Sequence, residues 1–205
     1  MKKKILFISV FLLSCLIVSS AIFVFQLSQN TKVVANKGVE TTKEGLPIVR
    51  TTNLVTIETD TLNQLMETAD LGINGVISKT ENYVYPSPDG GDIPYTKLTV
   101  MIDHVYKGDQ NLLNTEITIL EFGGVVSKKD FGMDEKFPNM SEKELNEEVV
   151  VLSEGLENSR EGQEIAAFLM SSANLDMETG FDYYQFTADY LSKFYLNQAT
   201  GTYER

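Results

Sequence analysis

The sequence has one cysteine (Cys15), one histidine (His104) and no tryptophan among its 205 residues. A lone cysteine cannot close an intramolecular disulfide or build a cysteine-rich zinc site. A lone histidine excludes every constellation that needs two imidazoles. Basic residues are also scarce, 17 against 29 acidic ones, for a formal net charge of −12. Phosphate contacts need clustered Lys and Arg, so this balance argues against a nucleic-acid binder. An acidic surface remains suited to cations, basic partners or basic peptides. The length is that of one domain with an appendage.

What is present begins with an apolar run. Residues 5–25 carry no charge, and their only polar members are four serines and Cys15. Twenty-one helical residues would span roughly 31 Å, close to the hydrocarbon thickness of a bilayer. Lys2, Lys3 and Lys4 precede the run, so the positive-inside rule keeps the N-terminus cytoplasmic and the rest outside. The residues leave three outcomes open. One is an uncleaved signal anchor over residues 1–26. Another is a signal peptide cleaved near Ser19-Ser20-Ala21. The third is lipidation at Cys15, against which stands the apolar Leu16-Ile17-Val18 that follows. Cys15 also reads simply as a small filler inside a membrane helix. Each outcome places the domain outside the membrane, and the retained anchor makes the location the cell membrane with an extracytoplasmic domain. The body has no cysteine, which suits an oxidising compartment.

Residues 27–58 are polar, without a helical stripe, and read as a tether. Its end, Asn53-Leu54-Val55-Thr56-Ile57, alternates as a short strand would. Asp60 or Thr61 then caps a helix with Leu62, Leu65, Met66 and Ala69 on one face. From Ile73 the period becomes two. Strands are expected through Val76, Ile77, Tyr83 and Val84, over 95–106, and over 115–122. The first two are separated by the Pro86-Ser87-Pro88-Asp89-Gly90-Gly91-Asp92 turn. No crossover-length helix separates the three, which predicts an antiparallel meander. Residues 125–160 read as an acidic, loop-like insertion. Within it, Ser141 and Glu144 form a capping box, after which 141–157 reads equally as helix or strand. Further strands are expected over 163–170, 183–186 and 194–196, with a last short pairing near Tyr203.

This succession resembles a known class of small domain. The residues that carry the likeness are Gly75-Val76, Ile93-Pro94-Tyr95-Thr96, Lys107-Gly108-Asp109, Ile117-Thr118-Ile119, Phe122-Gly123-Gly124 and Gly162-Gln163-Glu164. The order resembles the exported or membrane-anchored OB-fold-like domains of Gram-positive bacteria. Their five-stranded barrel is similar to netrin-like and metalloproteinase-inhibitor barrels. The resemblance spans about residues 60–200. It implies a mainly β fold over 59–205, an antiparallel meander closing as a barrel with one or two short helices. Related barrels bind peptides, sugars or nucleic acid. The chain lacks the N-terminal cysteine with which inhibitor barrels chelate a protease zinc, so that mechanism does not carry over.

Chemistry-bearing residues are few. His104 beside Asp103 lies on a strand, where neighbours point to opposite faces, and no Gly-x-Ser-x-Gly elbow accompanies it. Residues 121–164 hold 12 acidic and 5 basic side chains. Glu147, Glu148, Glu154 and Glu157 are the candidate partner-binding acids of that stretch, which otherwise reads as a solvated loop. It lacks the spacing of a calcium loop. Tyr183, Tyr184 and Tyr190 belong to the densest aromatic cluster, either core or a stacking platform for peptide or glycan. No motif calls for a metal or a cofactor. The expected function is a non-catalytic, membrane-anchored binding module for an envelope protein or basic peptide. The alternatives are an inhibitor or immunity-type protein against a secreted toxin or protease, and a small hydrolase using the acidic residues.

Overall fold

The fold is set by two strands of unusual length. In the computed structural model, which describes residues 40–52, 61–88 and 90–204, β2 (Leu71–Tyr85) and β3 (Ile93–Lys107) have 15 residues each. They pair antiparallel from Tyr85↔Ile93 back to Gly72↔Lys107. The Pro/Gly/Asp stretch between them forms the expected connection. The expectations for residues 1–39, for the 53–57 strand and for Asp60 and Asp89 lie outside the described residues. Everything described belongs to one compact unit, Val39–Arg205.

The described chain is mainly β, with ten strands in two sheets and a few short helices. Before β2 come β1 (Ile48–Thr51) and the helix α1 (Leu62–Thr68). After β3 follow β4 (Glu116–Phe122) and β5 (Gly124–Ser127). The one-turn helices α2 (Met133–Lys136) and α3 (Glu142–Leu145) precede β6 (Glu148–Ser153). The chain ends with β7 (Glu164–Ser171), β8 (Tyr184–Phe186), β9 (Lys193–Asn197) and β10 (Thr202–Glu204).

The larger sheet has the order β10-β9-β7-β2-β3-β4-β8. The β2–β3–β4 run is the expected meander. β8 pairs parallel with β4 at Ile119↔Tyr184 and antiparallel with β7 through Leu169↔Phe186, so β8 is bonded to strands far apart in that order. The main core lies between these strands. Ile73, Ile77, Leu98, Val100, Ile102, Ile119, Ile165 and Leu169 are almost wholly buried there. Burying a side chain of this kind contributes about 1.5–3 kcal/mol.

β2 bends where its pairing with β3 slips. One register shift falls between Asn74 and Gly75 and another between Ile77 and Lys79. Such bulges sharpen local twist. Gly75 is required at its position, because a Cβ there would lie 2.4 Å from the Met101 carbonyl oxygen. β3 changes phase as well. Leu98, Val100 and Ile102 point inward, but Val105, not His104, is the next buried residue. The period-two alternation therefore ends at Ile102.

α1 begins at Thr61, whose hydroxyl accepts from the Gln64 N–H while the Gln64 side chain accepts from the Thr61 N–H. Of the expected face, Leu65 and Ala69 are buried with Phe168 and Ala188 and Met66 packs against them, while Leu62 is exposed. The Lys107 ammonium donates to the Met66 and Glu67 carbonyls at the helix C-terminus, where a cation is favoured.

Two expectations need correction. Residues 40–51 are not plain tether. Ile48–Thr51 pairs parallel with β6, from Ile48↔Val150 to Thr51↔Ser153. Nor is the 125–160 insertion simply loop-like. Its β5 and β6 pair antiparallel and complete a three-stranded sheet β1-β6-β5. The choice between helix and strand over 141–157 resolves as both in turn. Ser141 and Glu144 cap a single helical turn, and the chain then extends. Val149 and Val151 are buried on one strand face with Val126, and β-branched residues favour that extended backbone. Leu156, needed to continue a helical stripe, is 48% exposed.

Candidate binding site

A broad concave surface lies beside the β2–β3 connection. Pro86, Ser87 and Pro88 form one wall, and residues 175–178, between β7 and β8, form the other. Tyr85, Ile93 and Tyr95 lie between them, around a groove of about 730 Å³. That volume falls within the range of ligand sites.

The 175–183 segment is held by aromatic contacts. The Phe181 ring packs edge-on against Tyr83 at 5.5 Å and against Tyr183 at 6.2 Å. The Lys97 ammonium sits 4.3 Å from the Phe181 ring centroid, a favourable cation–π placement. Tyr183 donates its hydroxyl to the Met177 carbonyl at 3.1 Å. Asp176 and Glu178 contribute two carboxylates to the groove lining. Burial raises the Tyr95 phenol above its ordinary pKa, so near neutral pH the ring is an uncharged hydrogen-bonding group. The groove thus combines apolar faces with an acidic wall.

A second polar centre ties a side chain of β4 to one at the start of β9. The Lys193 ammonium pairs with the Glu121 carboxylate, and their side chains are 7% and 5% exposed. The Ser159 N–H donates to the other Glu121 oxygen at 2.8 Å, and the Ser159 and Tyr195 hydroxyls are 3.0 Å apart. Burial pulls the Lys193 pKa down, but the Glu121 charge and the Tyr195 hydroxyl outweigh it and hold the pKa above its ordinary value.

The sequence-predicted residues are dispersed. Glu147 is paired with Lys128 at 2.7 Å. Glu148 opens β6 on its exposed side, and Glu154 follows the strand with φ of +49°. Glu157 is exposed and paired with Arg160. The six residues of β6 separate Glu147 from Glu154 by roughly 20 Å. Tyr183 is buried and fastens the groove wall, Tyr184 packs against the main core, and Tyr190 lines a separate cleft. His104 is exposed with its ring 4.5 Å from that of Tyr106. Cys15 lies outside the described residues.

Sequence reasoning found the Pro86–Asp92 turn but not its partner wall. Neither Leu175 nor Met177 lies in a regular pattern that would mark it. It also missed Glu121–Lys193, for which the only local signal is an acid inside the apolar Ile117–Phe122 run. Among the described residues, no group of three His, Cys, Asp or Glu side chains is placed to hold a metal. No helix of the described residues is long and apolar enough to cross a membrane. Compared with protein families, curated proteins and solved structures, the chain gives no match.

Proposed function

We propose that this chain is a membrane-anchored extracytoplasmic binding module whose groove takes an extended, apolar peptide bearing basic side chains. Residues 5–25 are the anchor and Lys2 to Lys4 set its orientation. The domain reads as an OB-like barrel. Its support is the pairing circuit β2 to β3 to β4 to β8 to β7 and back to β2, which has the five-strand membership of such a barrel.

The observation that carries the functional reading is the position of the groove. It lies between the connections that follow the first and fourth strands of that circuit, where OB barrels bind their ligands. Tyr, Pro, Ile and Met supply apolar contact, while Asp176, Glu178 and a net charge of −12 favour a cationic partner. The dispersed, exposed acids of β6 and its flanks do not assemble the paired carboxylates that glycoside hydrolysis needs. That favours binding over catalysis.

The test is fluorescence anisotropy of a labelled nonapeptide of Lys, Pro and Leu, titrated with the full chain in detergent micelles. Saturable binding that weakens with salt is expected, and the Tyr85→Ala/Met177→Ala pair weakens it by about tenfold or more, roughly 1.4 kcal/mol. Binding that ignores both substitutions removes this reading.

A further inference from the structure

A different cleft, of about 300 Å³, lies above the Lys193–Glu121 pair. Tyr190, Tyr195 and Leu156 give it apolar faces, and Asn158, Gln163 and Arg160 give it planar polar groups. Past Glu157, Asn158 and Arg160, residues common to both hollows, lies a second one of about 650 Å³ reaching Thr41, Thr42 and Thr96. From these features the geometry points to a binding site for a neutral oligosaccharide, distinct from the peptide groove.

Charge decides against an anionic ligand. At the smaller cleft each cation has its own carboxylate, Lys193 with Glu121 and Arg160 with Glu157, and the larger hollow sets one lysine, Lys43, against two further acids, Glu40 and Glu44. The rest of the smaller cleft is amide, tyrosine and the aliphatic Leu156. Tyrosine faces pack against the C–H faces of a sugar ring while their hydroxyls stay polar. Side-chain amides offer paired donors and acceptors to neighbouring sugar hydroxyls.

These groups are held in place before any ligand arrives. The Asn158 NH2 donates to the Gly123 carbonyl at 2.8 Å and to the Thr96 hydroxyl at 2.6 Å, which orients its Oδ1 as an acceptor. The Gln163 Oε1 accepts from the Arg160 N–H at 2.6 Å, which orients its NH2 as a donor. Ser159, between them, is fastened to Glu121 and Tyr195. A rigid site of this kind loses less entropy on binding. A small cleft and a larger hollow that share three lining residues suit a short chain of rings better than a single ring.

The experiment titrates the full chain, in a detergent without sugar head groups, with chitotriose, cellotriose and maltotriose. The readouts are intrinsic tyrosine fluorescence, unobscured because the chain has nine tyrosines and no tryptophan, and saturation-transfer NMR on the sugar. At least one trisaccharide should saturate the protein with Kd near about 1 mM. Tyr190→Ala and Gln163→Ala should each weaken it about tenfold, while Tyr190→Phe keeps it and Tyr85→Ala leaves it unchanged. Circular dichroism of each variant confirms that the fold is retained. No saturation by any of the three, binding that ignores Tyr190→Ala and Gln163→Ala, or competition by the basic nonapeptide instead of by sugar would overturn the proposal.

Discussion

The Lys193 ammonium of β9 and the Glu121 carboxylate of β4, 72 residues apart, form a buried ion pair to which Ser159 adds a backbone hydrogen bond. Phe186 and Tyr195 flank the ammonium, with ring centroids 5.6 and 5.1 Å from it. Removing one member strands the other as an uncompensated buried charge, so Glu121→Ala is expected to destabilise the fold by about 3–5 kcal/mol. The double variant Glu121→Met/Lys193→Met should recover most of that loss, because two packed apolar chains need no ion pair. Urea unfolding of both single variants and the double variant measures this as a mutant cycle.

The same pair shapes the response to alkali. Lys193 has a folded pKa above its unfolded value, so its contribution is complete below the unfolded pKa and disappears as pH rises through the folded one. Tyr203 behaves alike. Its phenol is raised by burial, and its hydroxyl donates to Glu164 at 2.7 Å while the Asn74 amide donates to it. The urea midpoint should therefore fall above about pH 10, where unfolded lysine and tyrosine lose protons. Tyr203→Phe combined with the double methionine variant should flatten that fall. A midpoint equally pH-dependent in the triple variant would show that other groups dominate.

Gly75→Ala should be among the most damaging single changes. The added methyl would collide with backbone, the Met101 carbonyl at 2.4 Å, as well as with a Val100 methyl at 2.8 Å. Overpacking that displaces backbone costs about 3 kcal/mol. Thermal unfolding checks it, and Gly162→Ala is no substitute control because its φ of +83° adds strain of another kind.

Asn82 joins the two sheets as a backbone amide would. Its NH2 donates to the Val125 carbonyl and its oxygen accepts the Val125 N–H, each at 2.9 Å. Asn82→Ala should cost about 1 kcal/mol, since the site is exposed and water replaces the lost bonds. The sharper readout is hydrogen exchange, with faster exchange expected at Val125 while Leu98 and Val100 keep their protection. Unchanged exchange at Val125 would mean that β6 alone holds β5.

Much of the strand order was legible because the period-two runs are long and the turns between them are rich in Pro, Gly and Asp. The Ser141 cap was legible from the Glu three residues on, whereas Thr61 was read only from its residue type ahead of the apolar stripe, with Asp60 as the alternative. The small sheet was not. Ile48–Thr51 pairs with residues about a hundred positions later, and four residues carry too little periodicity to announce a partner. Among candidate sites, the acids of 147–157 were found by composition, which counts charges without saying where they go. Strand β6 drives them apart. Tyr183 was found by its aromatic neighbours, but its hydroxyl turned inward to Met177.

The pairing of β1 with β6 has a mechanical consequence. Arg50 of β1 also grips Glu40 through two nitrogens, at 2.7 and 3.0 Å, and reaches the Gly155 carbonyl at 3.2 Å. A pull on the chain ahead of residue 40, directed along β1, would meet these contacts before any strand of the large sheet came under tension. Because β1 and β6 run the same way, that pull loads the Ile48–Thr51 ladder in shear, its bonds sharing the force instead of opening one after another. The four-residue strand would then act as a mechanical fuse, and its rupture would lengthen the chain while leaving the groove beside Tyr85 intact.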